Sequence, residues 1–92
     1  MERAEISLHQ LRVFQYVAHA SGWVTSAEIA RGAPVAPRTA RAHAHHLVSL
    51  GIFDQAEVFP AHRYRLSPQA EKRNKGYLLR LQQAAEVFGQ MV

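Results

Sequence analysis

Apolar residues return along the first stretch of the chain at helical spacing: Leu8, Leu11, Phe14, Val17 and Ala18. Steps of three and four place them on one face of a helix. Ser7 followed by Gln10 is a capping-box pattern, so the first helix is predicted from about Leu8 to about Ala20, ending before Ser21-Gly22. Trp23-Val24 is long enough only for a brief strand or an anchoring turn. Thr25 with Glu28 is a second capping-box pattern. It opens a helix of about two turns that ends near Gly32 and buries Ile29 and Ala30.

Ala33-Pro34-Val35-Ala36 forms a turn, and Pro37 suits the first position of the next helix, where its missing N–H costs nothing. That helix is predicted to reach Leu50, with Gly51 as the glycine that closes it. On a helical wheel Ala40, Ala44 and Leu47 share one face, with His43 and Leu50 on its edge. Arg38, Ala42, His45 and Ser49 lie opposite, flanked by Arg41 and His46.

Beyond the glycine the period changes. Ile52–Phe59 and His62–Leu66 are predicted as two strands around Pro60-Ala61. The second alternates, with His62, Tyr64 and Leu66 on one face and Arg63 and Arg65 on the other; the first alternates poorly and its faces stay open. Ser67-Pro68 starts a last helix with Pro68 at its first position. Tyr77, Leu81, Ala84, Phe88 and Met91 follow at the spacing of a helix–helix seam, widened by Leu78, Ala85 and Val87. This stripe is wider than a domain of this size should need, so the helix is expected to form a dimer interface. Burial on the chain's own core is the alternative.

Val24 to Phe53 thus outlines a helix-turn-helix whose second helix carries arginine and histidine outward and no acid. Such a helix is suited to a DNA major groove. Helix, short strand, helix, turn, helix and hairpin is the order of a winged helix. At the residue level VTSAEIA followed by APRTARAHAHHLVSLGIF resembles the DNA-binding region of MarR-type and related bacterial winged-helix regulators, through Thr25, Pro37, Thr39, Leu50, Gly51 and Ile52. The YRLSP of Tyr64–Pro68 is similar to the end of a wing in that group. The resemblance covers Leu8 to Pro68. It implies a mainly α fold with a small β-hairpin wing: a winged helix-turn-helix core at 8–67 and a C-terminal helix at 68–92, in a single domain. One departure is the pair Asp54 and Glu57 in the first wing strand, where a phosphate-gripping wing is expected to be basic. That leaves His62, Arg63 and Arg65 as the wing's contacts. The chain is also shorter than a typical MarR-type protein, so an effector pocket between long helices is not implied.

Composition narrows the rest. The 92 residues allow one small core, and a formal charge of +4 favours a polyanionic partner. Without cysteine there is neither a disulfide framework nor a thiolate metal site. The start, MERAEISLHQ, lacks the apolar run of a signal peptide, and nothing approaches the ~20 apolar residues of a membrane helix, so a cytoplasmic protein is expected. His43 and His46 are three apart, but no cysteine or carboxylate pattern supplies further ligands, so no metal is expected. No nucleophile–base pair, phosphate loop or paired carboxylates point to catalysis, and no cofactor is expected.

The expected function is sequence-specific binding of double-stranded DNA by a dimeric transcription regulator, most simply a repressor acting by steric block. Its DNA-facing residues are Pro37, Arg38, Thr39, Arg41, Ala42, His45, His46 and Ser49 on the recognition helix, with Ser26, Arg63 and Arg65 beside it. Two roles are open to Thr39, a phosphate contact or holding the helix start. Arg63 and Arg65 are open between bracing the wing and gripping phosphate. His45 and His46 face a phosphate or a base edge, which makes pH-sensitive binding an expectation. The dimer residues are Tyr77, Leu78, Leu81, Ala84, Ala85, Phe88 and Met91. The rival is a winged helix used as a protein-interaction module in replication, excision or segregation of a mobile element. Salt dependence separates the two, because only groove binding releases counterions.

Overall fold

The structure, a computed structural model, describes residues 6–58 and 61–91, with side chains at 6–57 and 61–89. Its elements are α1 (Leu8–His19), β1 (Val24–Thr25), α2 (Ser26–Gly32), α3 (Pro37–Ser49), β2 (Phe53–Val58), β3 (Ala61–Leu66) and α4 (Ala70–Met91). Phe59 and Pro60, at the expected hairpin turn, lie outside the described residues, and Ala61 belongs to β3.

Local signals set the helix starts. The Ser7 side chain accepts a hydrogen bond from the Gln10 N–H and caps α1. The reciprocal half of the expected capping box is not made: Gln10 is buried, and its Oε1 accepts from the Tyr77 hydroxyl at 2.9 Å. The second box is complete, with Thr25 Oγ1 accepting from the Glu28 N–H and Glu28 Oε1 from the Thr25 N–H. Pro37 stands at the start of α3 as expected, after an Ala36 cap that makes no side-chain hydrogen bond.

The end of α3 is a Schellman motif. Gly51 N–H reaches Val48 O at 3.0 Å, and Ile52 N–H reaches Leu47 O at 2.9 Å. Gly51 takes φ +83°, which an L-residue adopts only with strain.

The hairpin is larger than expected by one strand. β1 pairs antiparallel with β3 (Val24 with Tyr64, Thr25 with Arg63), giving a sheet ordered β1-β3-β2. In the β2–β3 register Phe53, Gln55 and Glu57 stand opposite Leu66, Tyr64 and His62. Directly opposed residues share a face, which assigns the faces that the sequence left open. One face turns to the helices, where Phe53 and Tyr64 are fully buried and Phe53 stacks on Phe14 (6.4 Å, 8°). The other face carries Asp54, Ala56, Arg63 and Arg65.

The last helix departs most from expectation. It begins at Ala70, two residues after Pro68, because the Ser67 side chain and carbonyl accept from the N–H groups of Gln69 and Ala70 and hold Pro68 in a turn. Asn74 then leaves the helical conformation (φ −157°, ψ 68°). Its Nδ2 donates to Leu50 O at 3.0 Å, at the close of α3, and its Oδ1 accepts from the Tyr77 N–H at 3.3 Å. One asparagine thus caps the end of one helix and the start of another.

The expected seam faces inward at its start. Leu81 is fully buried and Leu78 nearly so, both in the core with Val13, Val17 and Leu47. Tyr77, Ala84, Ala85 and Phe88 are partly buried against the same core. The small helical layer has no other cover for α1, so α4 supplies it. Leu78 and Leu81 therefore correct the expected interface: their faces are taken by the chain itself. Met91's side chain lies outside the described set. Among the described residues the large apolar side chains left exposed are Leu8, Leu79 and Val87, at 46%, 48% and 55%, with Trp23 at 37% beside the sheet.

This junction makes a prediction. Gly51→Ala should cost roughly 1–2 kcal/mol from the left-handed backbone alone, and its new Cβ would stand 3.0 Å from Arg73 Cβ. Asn74→Ala, which leaves Leu50 O unpaired, should cost about 1–3 kcal/mol. Both should lower the urea midpoint at unchanged slope. A Gly51→Ala protein as stable as the parent would contradict the geometry.

Candidate nucleic-acid interface

Helix α3 is held down by small residues. Ala40, Ala44 and Leu47 are fully buried, so the helix lies close on the core with its opposite face outward. On that face Pro37, Arg38, Arg41, Ala42, His45, His46 and Ser49 are all exposed, and Thr39 is half-buried. No carboxylate interrupts the face, because no acid occurs between Glu28 and Asp54. Ser49 is partly committed, its hydroxyl donating to His46 O at 2.6 Å.

The other expected contacts divide by location. Ser26 opens α2, but the carboxylate of Glu28 already occupies that helix end. The backbone N–H of Thr25 holds this carboxyl below its ordinary range, burial opposing, helped by the Thr25 hydroxyl and by the charges of Arg31 and Arg63. Arg63 is exposed on the outer sheet face. Arg65 is a brace: its Nε donates to Asp54 Oδ2 at 3.3 Å, and its guanidinium lies 4.5 Å from the Trp23 ring centroid. Arg73 Nη1 donates to the other Asp54 oxygen at 2.9 Å. The acid that looked out of place in a wing strand is the clamp that ties the sheet to the start of α4.

The sequence reading missed the corner between α3 and the wing. There His45 lies edge-on to both His62 and Tyr64, each at 5.7 Å between ring centroids. Gln55 Nε2 stands 3.2 Å from His62 Nδ1, and Glu57 Oε1 stands 3.9 Å from the same atom. Tyr64 was legible as an inward strand residue, but its meeting with His45 depends on how α3 seats on the sheet.

His43 sits at the core boundary, as its wheel position implied. Burial lowers its proton affinity, and the neighbouring His9 and His46 add to the effect. Among the described residues no three His, Asp or Glu side chains come together as a metal site would need. No described helix is long and apolar enough to cross a membrane.

No protein-family model matches the chain, and no curated protein matches it. Solved structures do. The multiple antibiotic-resistance repressor MarR of Listeria monocytogenes aligns over 92% of this chain and 55% of its own, with TM-score 0.59 and 19% identity. MepR, a transcription regulator of the Staphylococcus aureus multidrug efflux pump MepA, aligns over 96% and 67%, with TM-score 0.62 and 13% identity. The fold is a winged helix, similar to that of these regulators. It also occurs within human N-acetylserotonin methyltransferase, which aligns over 74% of this chain but only 20% of its own, with TM-score 0.59 and 20% identity. The chain thus spans a fifth to two thirds of the proteins it is similar to. A fold shared by regulators and an enzyme does not fix function, so function is argued from the site.

The depressed His43 gives a pH prediction. Above about pH 6.5 the imidazole is neutral folded and unfolded, and contributes nothing to the pH dependence. As pH falls below that value the unfolded chain takes up the proton first, so folding stability drops until the lower folded value is passed. Urea unfolding at pH ~7 and ~5.5 should show a loss for the parent that shrinks in His43→Gln. An equal loss in both proteins would remove His43 as the cause.

Proposed function

We propose that this winged helix is a sequence-specific binder of double-stranded DNA, a small transcription regulator that acts as a dimer. One observation carries the reading: the exposed, acid-free face of α3 with Arg38, Arg41, His45 and His46. The structural neighbours whose names are those of a repressor and a transcription regulator support it. Arg38 and Arg41, in the first turns, reach base edges or flanking phosphates, and the histidines extend the polar face along the groove. Occupancy of an operator blocks polymerase or positions another protein. No catalytic step and no cofactor enters this reading.

Arg38→Ala and Arg41→Ala should each weaken duplex binding without unfolding the protein. A lost arginine–guanine contact should relax specificity by roughly 1–3 kcal/mol, whereas a lost phosphate contact should weaken all duplexes alike. Fluorescence anisotropy on selected and random duplexes distinguishes the two. The parent's affinity should also fall with salt, at a log–log slope of about −0.9 per phosphate neutralised. A slope near zero, with both variants binding as the parent does, would replace the reading with a protein-interaction module.

The dimer surface proposed is the apolar groove between the start of α1 and the end of α4. It is an open groove of about 690 Å³, lined by Ile6, Leu8, Ala84, Val87 and Phe88 with Arg80 and Gln83 at its side. Two such grooves meeting would set the recognition helices against half-sites ~10 bp apart or a multiple. Analytical ultracentrifugation should find the parent dimeric at micromolar concentration and Leu8→Asp/Val87→Asp a folded monomer. A monomeric parent would sink the dimer.

A further inference from the structure

Tyr64 is fully buried, and its hydroxyl is a buried side-chain polar atom with no hydrogen-bond partner. Native interiors rarely leave such a group unpaired, because it has given up its water and received nothing in return. Phenylalanine would fill the same space without that loss. The surroundings of the phenol indicate what it is for. His45 lies edge-on against it from α3. Arg41, one turn earlier on the same helix, is close enough for its charge to favour the ionised phenol, though burial dominates and raises the Tyr64 pKa. From the wing come His62, edge-on to His45, and Gln55, which stands opposite Tyr64 in the register. The corner therefore gathers four nitrogen-bearing side chains, of which Gln55 is engaged with His62 and Arg41, His45 and His62 can donate to an anion, with an idle donor at its floor. Its one carboxylate is Glu57, 3.9 Å from His62, on a side chain that is 77% exposed and free to swing away.

We propose that this corner is a seat for one backbone phosphodiester of the duplex, held between α3 and the wing by Arg41, His45 and His62, with Tyr64 as the positioning residue beneath. The proposal rests on the duplex-binding reading and adds to it the contact that fixes how far α3 enters the groove. His45 is exposed, so its ring is free to turn. When one ring nitrogen accepts from the Tyr64 hydroxyl, the other carries its hydrogen outward to the phosphate. The hydrogen bond at one imidazole nitrogen thereby sets the tautomer and direction of the other. Glu57, 3.9 Å from His62 Nδ1, competes with the incoming anion for that ring when it carries its second proton, which keeps loosely bound phosphate out. Contacts of this kind set the register of a protein on DNA and carry no sequence information of their own.

The test is anisotropy with short selected and random duplexes, using Tyr64→Phe, His62→Gln, Glu57→Gln and Arg38→Ala. Tyr64→Phe and His62→Gln should each weaken both duplexes alike, by about 3- to 10-fold, the range of one neutral hydrogen bond. Glu57→Gln should strengthen both. Tyr64→Phe should melt no lower than the parent, since it removes an unpaired group; if it fails to fold, His62→Gln, on a half-exposed wing side chain, carries the test alone. Tyr64→Phe and His62→Gln binding as the parent does, while Arg38→Ala weakens, would overturn the seat and leave duplex binding intact. A parent that binds no duplex removes both. The ring protons of His45 and His62, followed by NMR, should shift on adding duplex and stay unmoved by inorganic phosphate at the same concentration. A saturating shift with inorganic phosphate alone would reassign the corner to a free anion and overturn its role on DNA.

Discussion

The left-handed turn at Gly51 closes α3 with both hydrogen bonds of a Schellman motif, and the Leu50 carbonyl at that close is taken by Asn74. Everything beyond α3 is referred to this point. The turn sends the chain directly into β2, which fixes where the wing leaves the helix. Arg73, packed against Gly51 where a Cβ would not fit comfortably, reaches Asp54 on the strand just formed. Helix α3, wing and closing helix therefore share one joint built from a glycine, an asparagine and an ion pair. Displacing any part of it moves His62 relative to His45, and with that the shape of the corner.

Signals that act within a few residues were legible in the sequence. Thr25 with Glu28, Pro37 and Gly51 each satisfy backbone groups within a turn of themselves, so α2 and α3 fall where the pattern put them. The outward set on α3 followed from its wheel. What the sequence hid needs partners far along the chain. Gln10 looked like a capping residue, but Tyr77, distant in sequence and adjacent in space, offered its side chain a buried bond. Asp54 looked like an acid in the wrong strand until Arg65 and Arg73 closed on it. Leu78 and Leu81 looked like a dimer seam because periodicity reports that a face is apolar and not what covers it.

The two faces of the sheet use their charges differently. On the outer face Arg65 and Arg73 neutralise Asp54, and Trp23 carries the flat side of Arg65, so these cations serve the architecture. On the inner face, past the edge of the core, the polar side chains meet α3, and His62 is met by Gln55 at 3.2 Å and by Glu57 at 3.9 Å. Counting basic residues in a wing thus overstates its reach for phosphate. A guanidinium gripped by a carboxylate has little left for a ligand, while His45, which rests on the rings of His62 and Tyr64, keeps its nitrogens available.

The break at Asn74 also divides α4 mechanically. An α-helix is held straight by its ladder of hydrogen bonds, and at Asn74 the ladder gives way to side-chain bonds to Leu50 O and from the Tyr77 N–H. Residues 70–73 are tied to the sheet through Arg73, whereas the long segment is tied to α1 through Tyr77 and to the core through Leu81. Helix α4 thus takes its direction from two different parts of the fold, the sheet before Asn74 and α1 after it.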